Sequence, residues 1–453
     1  MLGDCLGISP RLNYDTTSWS AAAELGTVLI WTVTPTSSRH SSRQDGGATA
    51  RFGQHPELPS CRTPAHSDRI EGMATSSISS RAADVIVIGG GLIGSSIALR
   101  LAQGKLQVSV FDRGEPGAEA SSAAAGMIGP QGETAEPDAF FALCAASHAL
   151  FPDFVEEIED LSGQDVDFRR EGSLLVAVEE KQVAQLEKLF WNQSRAGLPL
   201  ERLPLASLQQ KMPGLSNKLR LALGASEDHW VDNAKLTRAV IEAAQRLGVR
   251  FYARCAVEHL SVRDNHVEAI QASSGLAGGE PTLFSAGCFV LAAGCWSGGL
   301  ATEAGLPLSM QPCRGQMLEF ESPREIPYVV RAGTHYLVPR SARRVVVGTT
   351  AEYAGFEKTV TAEGLQSILK GAMRFAPFLK DCAFLRAWAG LRPDTPDHLP
   401  ILGYGKLDNL ILATGHFRHG ILLAPITAQQ ISQLLLTHST SLSLEAYRPT
   451  RFA

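Results

Sequence analysis

A glycine-rich stretch near residue 84 constrains the fold of this chain more than any other feature. Residues 84–94 read Asp-Val-Ile-Val-Ile-Gly-Gly-Gly-Leu-Ile-Gly, so a short β-branched run leads into glycines at the G-x-G-x-x-G spacing. The apolar run predicts a buried parallel strand, and the residues that follow predict an amphipathic helix. A strand, a glycine turn and a helix in this order begin a nucleotide-binding βαβ unit.

Each glycine has a physical role in such a unit. Gly89 permits the tight turn, Gly91 lets a pyrophosphate approach the backbone, and Gly94 lets the helix pack closely on the strand. A second apolar run ends at Asp112, about 20 residues further on, where a carboxylate can hydrogen-bond a ribose hydroxyl. The alternative is a glycine-rich turn without a ligand, and the βαβ context argues against it.

Composition excludes several classes of protein. The chain has 453 residues, of which 44% are hydrophobic, and this is enough for two or three domains. A net charge of −5 without blocks of like charge argues against a nucleic-acid partner. Eight cysteines lack metal-binding spacing, so we predict no metal site and buried free thiols in a reducing, cytoplasmic compartment. No apolar stretch reaches the length of a membrane span.

Residues 1–80 differ from the rest of the chain. They are rich in Ser, Thr, Pro, Gly and Arg without sustained periodicity, and this predicts a disordered extension. Met73 stands about ten residues before the first predicted strand, so we interpret it as the initiator of the folded protein. A transit peptide is the alternative, although the acidic residues Asp4, Asp15 and Glu24 weaken it.

The remaining elements indicate an α/β protein. Helical periodicity is found at 139–161, 232–248 and 421–436, and alternating strands follow one another between residues 316 and 349. Parallel βα units therefore flank an antiparallel block. We predict a discontinuous Rossmann-like domain with a second, antiparallel-sheet α+β domain. The small residues 120–127 leave room for a ligand against the backbone or, alternatively, for a packed helix.

Five blocks of sequence resemble one known family. In chain order they are residues 121–127 (Ser-Ser-Ala-Ala-Ala-Gly-Met), 314–317 (Arg-Gly-Gln-Met), 336–340 (Tyr-Leu-Val-Pro-Arg), 388–393 (Trp-Ala-Gly-Leu-Arg-Pro) and 415–425 (Gly-His-Phe-Arg-His-Gly-Ile-Leu-Leu-Ala-Pro). Together they resemble the D-amino-acid-oxidase-like family of FAD-dependent amine oxidoreductases, and within it the glycine oxidases of thiazole (thiamine) synthesis. The resemblance runs from about residue 83 to residue 448.

The resemblance implies that the bound dinucleotide is FAD. It implies an FAD-binding domain at 81–166, 223–300 and 385–453 and a substrate domain at 167–222 and 301–384. By motif position it implies cofactor contacts from Gly89, Gly91, Leu92, Ile93 and Gly94 at the pyrophosphate, Asp112 and Arg113 at the adenosine, Ala120 and Ser121 at the phosphates, Ala125, Gly126 and Met127 along the flavin, Val257 near the adenine, and His416, Phe417, Arg418, His419, Gly420, Ile421 and Leu422 around the isoalloxazine. The N–H groups of the helix predicted after Gly420 can face the flavin N1/O2 edge.

The resemblance also implies a substrate clamp. Arg392 and Arg418 would bind an amino-acid carboxylate and Tyr336 would add a hydroxyl, because a guanidinium meets a carboxylate in two parallel hydrogen bonds. Surface ion pairs are the alternative for both arginines. Asp394 stands where relatives usually carry glycine, and we expect its carboxylate to neutralise the clamp in part. His419 stands where asparagine is common, and loop histidines more often hydrogen-bond backbone than act as bases.

The implied reaction is the oxidative deamination of glycine or a similar small amine. Dioxygen would accept the electrons as hydrogen peroxide, and water would hydrolyse the imino acid to glyoxylate and ammonia. We assign no certain catalytic residue, because a neutral amine needs no acid or base. The alternatives are a D-amino-acid or sarcosine oxidase or dehydrogenase, an NAD-dependent dehydrogenase, and a non-catalytic flavin-binding protein. The resemblance further implies a homo-oligomer and transfer of the imine to a thiazole synthase.

Overall fold

The computed structural model describes residues 83–133, 138–198, 200–274 and 281–452. The predicted extension, residues 1–80, and the proposed initiator Met73 lie outside the described residues. The described chain is a mixed α/β fold with two large sheets, as the sequence predicts.

The first sheet has six strands and contains the predicted nucleotide-binding unit. Its central strand, Ala83–Ile88, is parallel to its two neighbours and almost wholly buried, which explains its uninterrupted apolar sequence. An antiparallel strand closes one edge. The strands in spatial order are Ile401–Tyr404, Leu410–Thr414, Ala286–Leu291, Ala83–Ile88, Val108–Phe111 and Arg250–Tyr252.

Four helices pack on this sheet and form the main core with it. The helix that follows the glycine turn, Leu92–Gln103, lies against Asn233–Arg246 and Ala424–Thr437. Asp232 caps the second of these helices by accepting from the N–H groups of Ala234 and Lys235. The fourth helix, Ala139–Ser162, buries phenylalanine and leucine side chains in the same core.

Helix Ala139–Ser162 requires a correction to the sequence analysis. It is long and apolar enough to cross a membrane by length and composition, whereas we expected no stretch of that kind. Within the described residues it is the one helix with this property. Its buried side chains Phe151, Phe154 and Ile158 pack against the helices of the main core, and this accounts for the apolar composition.

The second sheet has eight strands and a separate core. Its two long strands, Gln311–Glu321 and Ala383–Asp394, are antiparallel, and their register pairs Cys313 with Arg392. Helix Ala362–Phe375 packs against this sheet through Ile368, Ala372 and Phe375. The strands in spatial order are Ala383–Asp394, Gln311–Glu321, Arg344–Gly348, His335–Pro339, Val329–Ala332, Ser173–Ala177, Leu221–Ala225 and Glu201–Arg202.

Smaller elements complete the described chain. One three-stranded sheet consists of Cys255–Arg263, His266–Ser274 and Thr282–Phe284, and one two-stranded sheet pairs Met127–Ile128 with His229–Trp230. The remaining helices are Ala120–Ala123, Pro130–Glu133, Glu180–Arg195, Leu205–Lys211 and Ser297–Glu303, with 3₁₀ turns at Gly294–Trp296, Pro377–Asp381, Glu445–Tyr447 and Pro449–Phe452.

Within the described ranges the cysteines are free thiols, as the sequence analysis predicts, except at Cys255. Five are free thiols: Cys144, Cys288, Cys295, Cys313 and Cys382. Burial raises the pKa of the Cys295 thiol to about 12, so this side chain stays protonated and inert. Cys255 is disulfide-bonded, so the prediction of free thiols was wrong there. Its surroundings in the sequence carry no spacing signal for a disulfide.

Candidate active site

A cavity of about 1220 Å³ lies between the carboxyl ends of the first sheet and the face of the second. Its wall contains almost every residue that the sequence analysis assigned to cofactor or substrate, although these residues are far apart in the chain. The assigned residues that line it are Gly89, Gly91, Leu92, Ile93, Asp112, Arg113, Ala120, Ser121, Ala125, Gly126, Met127, Val257, Tyr336, Arg392, His416, Phe417, Arg418, His419, Gly420, Ile421 and Leu422.

Gly94 is the assigned residue that does not line the cavity, and its packing explains why. A Cβ at this position would overlap the carbonyl oxygen of Gly89, so Gly94 is the point where helix and strand touch. Gly89 has a φ of +107°, and a Cβ there would clash with the carbonyl of Ala292. A Cβ at Gly91 would crowd Ser121 Oγ at 3.2 Å, and Gly91 lines the cavity.

The N-terminus of helix Leu92–Gln103 has the properties of an anion-binding site. Its first turn contains no acidic residue and Gly91 provides no side-chain cap. Leu92 N–H donates to Ser121 Oγ over 2.9 Å, which brings the small-residue segment against this helix end. Helix N-termini with these properties bind phosphate groups in other nucleotide sites.

Asp112 has a structural role that the sequence analysis missed. Its Oδ2 accepts a hydrogen bond from Gly90 N–H and its Oδ1 accepts one from Gly114 N–H, both at 2.8 Å. Burial raises the pKa of this carboxyl, while the two backbone hydrogen bonds oppose the rise. Asp112 therefore fixes the glycine turn as well as lining the cavity.

The segment 414–423 closes the cavity at its other end and differs in part from expectation. The helix begins at Ala424 and not at Ile421, because residues 420–423 form a turn. Its first turn has no acidic residue, but its N–H groups already have partners: Ala424 N–H donates to Ile421 O, Ile426 N–H donates to Ser147 Oγ, and Pro425 has no N–H. Phe417, with a φ of +46°, donates its N–H to Pro393 O over 2.9 Å and ties this segment to the second sheet.

His416 is buried, and its contacts argue against a role as a base. Its Nε2 lies 3.0 Å from Thr427 Oγ1. Burial lowers the pKa of the imidazole to about 3, so His416 is neutral throughout the physiological range. Its partner is a side-chain hydroxyl and not the backbone partner that the sequence analysis expected for loop histidines.

The low pKa of His416 predicts acid destabilisation. In the unfolded chain an imidazole titrates near its model value of 6.5, so below that pH the unfolded state binds a proton that the folded state excludes. Each pH unit between 6.5 and about 3 then costs about 1.4 kcal/mol. We expect the free energy of unfolding to fall by about 2 kcal/mol from pH 6.5 to pH 5 through this group. Urea titrations at both pH values measure it.

The substitution His416→Asn should reduce that fall, since it removes the titrating group. His259→Gln is the matched control, because the His259 side chain is 59% exposed. An identical pH dependence in native protein and His416→Asn would contradict the prediction.

Arg392 has the geometry expected of a carboxylate clamp. Its guanidinium donates to Thr349 Oγ1 over 2.9 Å and to Thr350 O over 3.2 Å. Among the described residues no carboxylate forms an ion pair with it, although it lines the cavity. A Cβ at Gly315 would overlap the guanidinium, so glycine at that position makes room for it. A partly buried guanidinium with neutral partners favours an anionic ligand.

Asp394 differs from expectation. We expected it to neutralise the clamp in part, but both of its oxygens are used elsewhere. Tyr353 Oη donates to Oδ2 and His398 Nδ1 lies against Oδ1, each at 2.7 Å. The expected contact with Arg392 is absent from the described part of the chain.

The other two assigned substrate residues also reach the cavity. Tyr336 is buried, and its hydroxyl lies 3.2 Å from Met317 Sδ. The Arg418 guanidinium lies 5.2 Å from the centre of the Phe417 ring. The roles of these residues in binding remain predictions.

Sequence reasoning missed a polar cluster and an aromatic side chain in the cavity wall. Arg314 Nε donates to Glu352 Oε2 over 2.9 Å, and Gln316 Nε2 donates to Glu352 Oε1 over 2.8 Å. Trp296 lies under the Arg113 guanidinium at 4.5 Å. Trp296 follows the carboxyl end of strand Ala286–Leu291. Ligands bind at the carboxyl ends of parallel strands, so this position could have predicted Trp296 as a residue of the cavity wall.

A comparison with protein families identifies the chain. The family model for the FAD-dependent oxidoreductases called DAO matches residues 84–434. The chain belongs to this family. FAD is the cofactor of the DAO family, and the cavity fits it: Gly91 lines the cavity without a side chain, and the helix that follows it has no acidic residue in its first turn.

Two curated proteins show the similarity in sequence. The bifunctional protein ThiO/ThiG of Synechocystis is 37% identical over 385 residues, covering 82% of this chain and 54% of that protein. This chain therefore spans about half the length of that relative. The glycine oxidase of Bacillus subtilis is 34% identical over 373 residues, covering 81% of this chain and 97% of the relative.

A solved structure agrees with the sequence relatives. The crystal structure of glycine oxidase from Geobacillus kaustophilus matches with a TM-score of 0.77 at 30% identity, and the match covers 82% of this chain and 98% of that one. The predicted DAO-like fold is confirmed.

Proposed function

We propose that this DAO-family protein oxidises glycine and similar small amines with FAD and dioxygen. Glycine, dioxygen and water would give glyoxylate, ammonia and hydrogen peroxide. The observation that carries the proposal is the Arg392 guanidinium, which lines the cavity without a carboxylate partner among the described residues. The identity to glycine oxidases supports the choice of substrate.

The residues of this chain supply binding and orientation. Arg392 binds the substrate carboxylate in two parallel hydrogen bonds, and Tyr336 and Arg418 line the same space. Fixing the carboxylate fixes the α-carbon, and this positioning is the main contribution that the protein makes to catalysis. His416 stays neutral and takes no proton, so the proposed reaction requires an amine that is already neutral when it is oxidised. FAD, when bound, accepts the two electrons and passes them to dioxygen.

The cavity wall near Arg392 restricts the size of the substrate. Thr349 and Thr350 contact the guanidinium directly, and the Arg314–Glu352 pair stands beside them in the wall. A small amino acid leaves these hydrogen bonds intact, whereas a bulky side chain would have to break half-buried polar contacts. Glycine therefore fits better than larger D-amino acids.

A substrate panel tests this proposal. We expect peroxide release to be faster with glycine than with sarcosine or D-alanine, because the one methyl group that each of these two amines adds must be placed against the polar wall. The holoenzyme should also absorb near roughly 450 nm, as bound flavin does. A protein that retains flavin but releases no peroxide with any of the three amines would contradict the proposal and favour a non-catalytic flavin protein.

Several further assignments stay proposals. The ThiO/ThiG fusion in Synechocystis supports a connection with thiazole synthesis, where the imine would pass to a thiazole synthase. The homo-oligomer, the cytoplasmic location and the division into an FAD-binding and a substrate domain remain predictions from the sequence.

A further inference from the structure

Asp394 is a carboxylate in the same strand as the proposed clamp, Arg392. It follows Arg392 by two residues on strand Ala383–Asp394, and alternation along a strand puts both side chains on the same face. Positions two apart on a strand are separated by roughly 7 Å. A carboxylate and a guanidinium at that separation can reach each other by a change of rotamer.

The structure shows two side chains that prevent this contact. Tyr353 Oη donates to Oδ2 of Asp394 and His398 Nδ1 donates to Oδ1, each over 2.7 Å. The Asp394 side chain is fully buried, so a carboxylate there needs hydrogen bonds to both oxygens. Arg392 meanwhile turns to Thr349 and Thr350.

Both side chains come from segments that border the cavity. Tyr353 belongs to the connection 349–361, which begins with the two threonines that contact Arg392. The His398 ring stacks on Phe417 of the segment 414–423, with ring centres 4.8 Å apart. The hydrogen bond to Asp394 raises the pKa of Tyr353 to about 12, so its phenol remains a donor at any working pH.

We propose that Tyr353 and His398 are positioning residues that hold the Asp394 carboxylate away from Arg392, so that the guanidinium stays available to the substrate carboxylate. This role rests on the proposed function, in which Arg392 is the carboxylate clamp. An Asp394 carboxylate released from these bonds would compete for Arg392 as a tethered ligand, and tethering gives an effective concentration in the millimolar range or above. Its bonds to the guanidinium would be charge-assisted, as those of the substrate are.

Tyr353→Phe tests the proposal, because it removes one hydroxyl from a side chain that is 57% exposed and should leave the fold intact. We expect KM for glycine to rise about tenfold with kcat unchanged. The dissociation constant of acetate, measured from the flavin absorption spectrum, should rise by the same factor. Tyr328→Phe is the control, since Tyr328 packs in the second core away from the cavity.

A second variant separates this role from a structural one. Asp394→Asn removes the competing charge, so Tyr353→Phe/Asp394→Asn should return KM and the acetate constant to those of Asp394→Asn alone. An equal rise in the double variant, or native constants in Tyr353→Phe, would overturn the inference. If native protein does not oxidise glycine, the proposed function fails while the acetate titration still decides the role of Tyr353.

Discussion

Replacement of Arg392 by alanine should raise KM for glycine by roughly 100-fold while the protein keeps its FAD. The substitution removes two charge-assisted hydrogen bonds to the substrate carboxylate, together worth about 3 kcal/mol. The guanidinium contacts Thr349 and Thr350, which are accessible neutral partners, so its loss leaves no buried charge behind. Steady-state peroxide release over a range of glycine concentrations measures the effect.

Two further variants make this prediction specific. Arg386→Ala changes an arginine of the same strand that pairs with Glu319 outside the cavity wall, and it should leave KM unchanged. Gly315→Ala should act like Arg392→Ala, because a Cβ there would overlap the guanidinium. An Arg392→Ala protein with native KM would rule out the clamp.

Gly94→Ala should abolish FAD binding at micromolar cofactor. A Cβ at position 94 would overlap the carbonyl oxygen of Gly89. Because that oxygen belongs to the backbone and cannot rotate away, the turn between strand and helix must open. Overpacking of this kind lowers the free energy of unfolding by roughly 1–3 kcal/mol. The displaced turn is also the proposed pyrophosphate site, so the cofactor loses its contacts there. Quenching of flavin fluorescence measures FAD affinity, and thermal unfolding reports the stability of the apoprotein.

Gly298→Ala provides the matched control for this variant. Position 298 lies in helix Ser297–Glu303, and a Cβ there would meet its nearest neighbours at 3.7 Å, an ordinary contact. It should bind FAD as the native protein does and be slightly more stable, because alanine is the better helix former. Native FAD affinity in Gly94→Ala would show that the turn tolerates a side chain.

The first βαβ unit was predictable from sequence because its determinants are local. The apolar run, the glycine spacing and Asp112 specify strand, turn and helix without reference to the rest of the chain. The DAO-like resemblance added the remaining segments of the cavity, and the confirmed fold brings them together. The helix start at Ala424 was missed since the turn before it depends on contacts with the second sheet, such as Phe417 N–H to Pro393 O.

The behaviour of Asp394 could not have been predicted from sequence. Spacing shows only that a carboxylate follows Arg392 by two residues. Its partners Tyr353 and His398 come from two separate connections, and their distance from the strand depends on the tertiary fold. Which partner a charged side chain binds depends on residues that are distant in sequence, and the local sequence pattern does not contain this information.

The strand order of the first sheet determines when this protein can acquire its cofactor. Ala83–Ile88 is synthesised first of the three central strands, its neighbour Ala286–Leu291 follows about two hundred residues later, and Leu410–Thr414 follows after about a further hundred. Until then the nascent chain carries an incomplete first sheet with exposed strand edges. The cavity is therefore complete only after residues 416–422, which line it, have been synthesised.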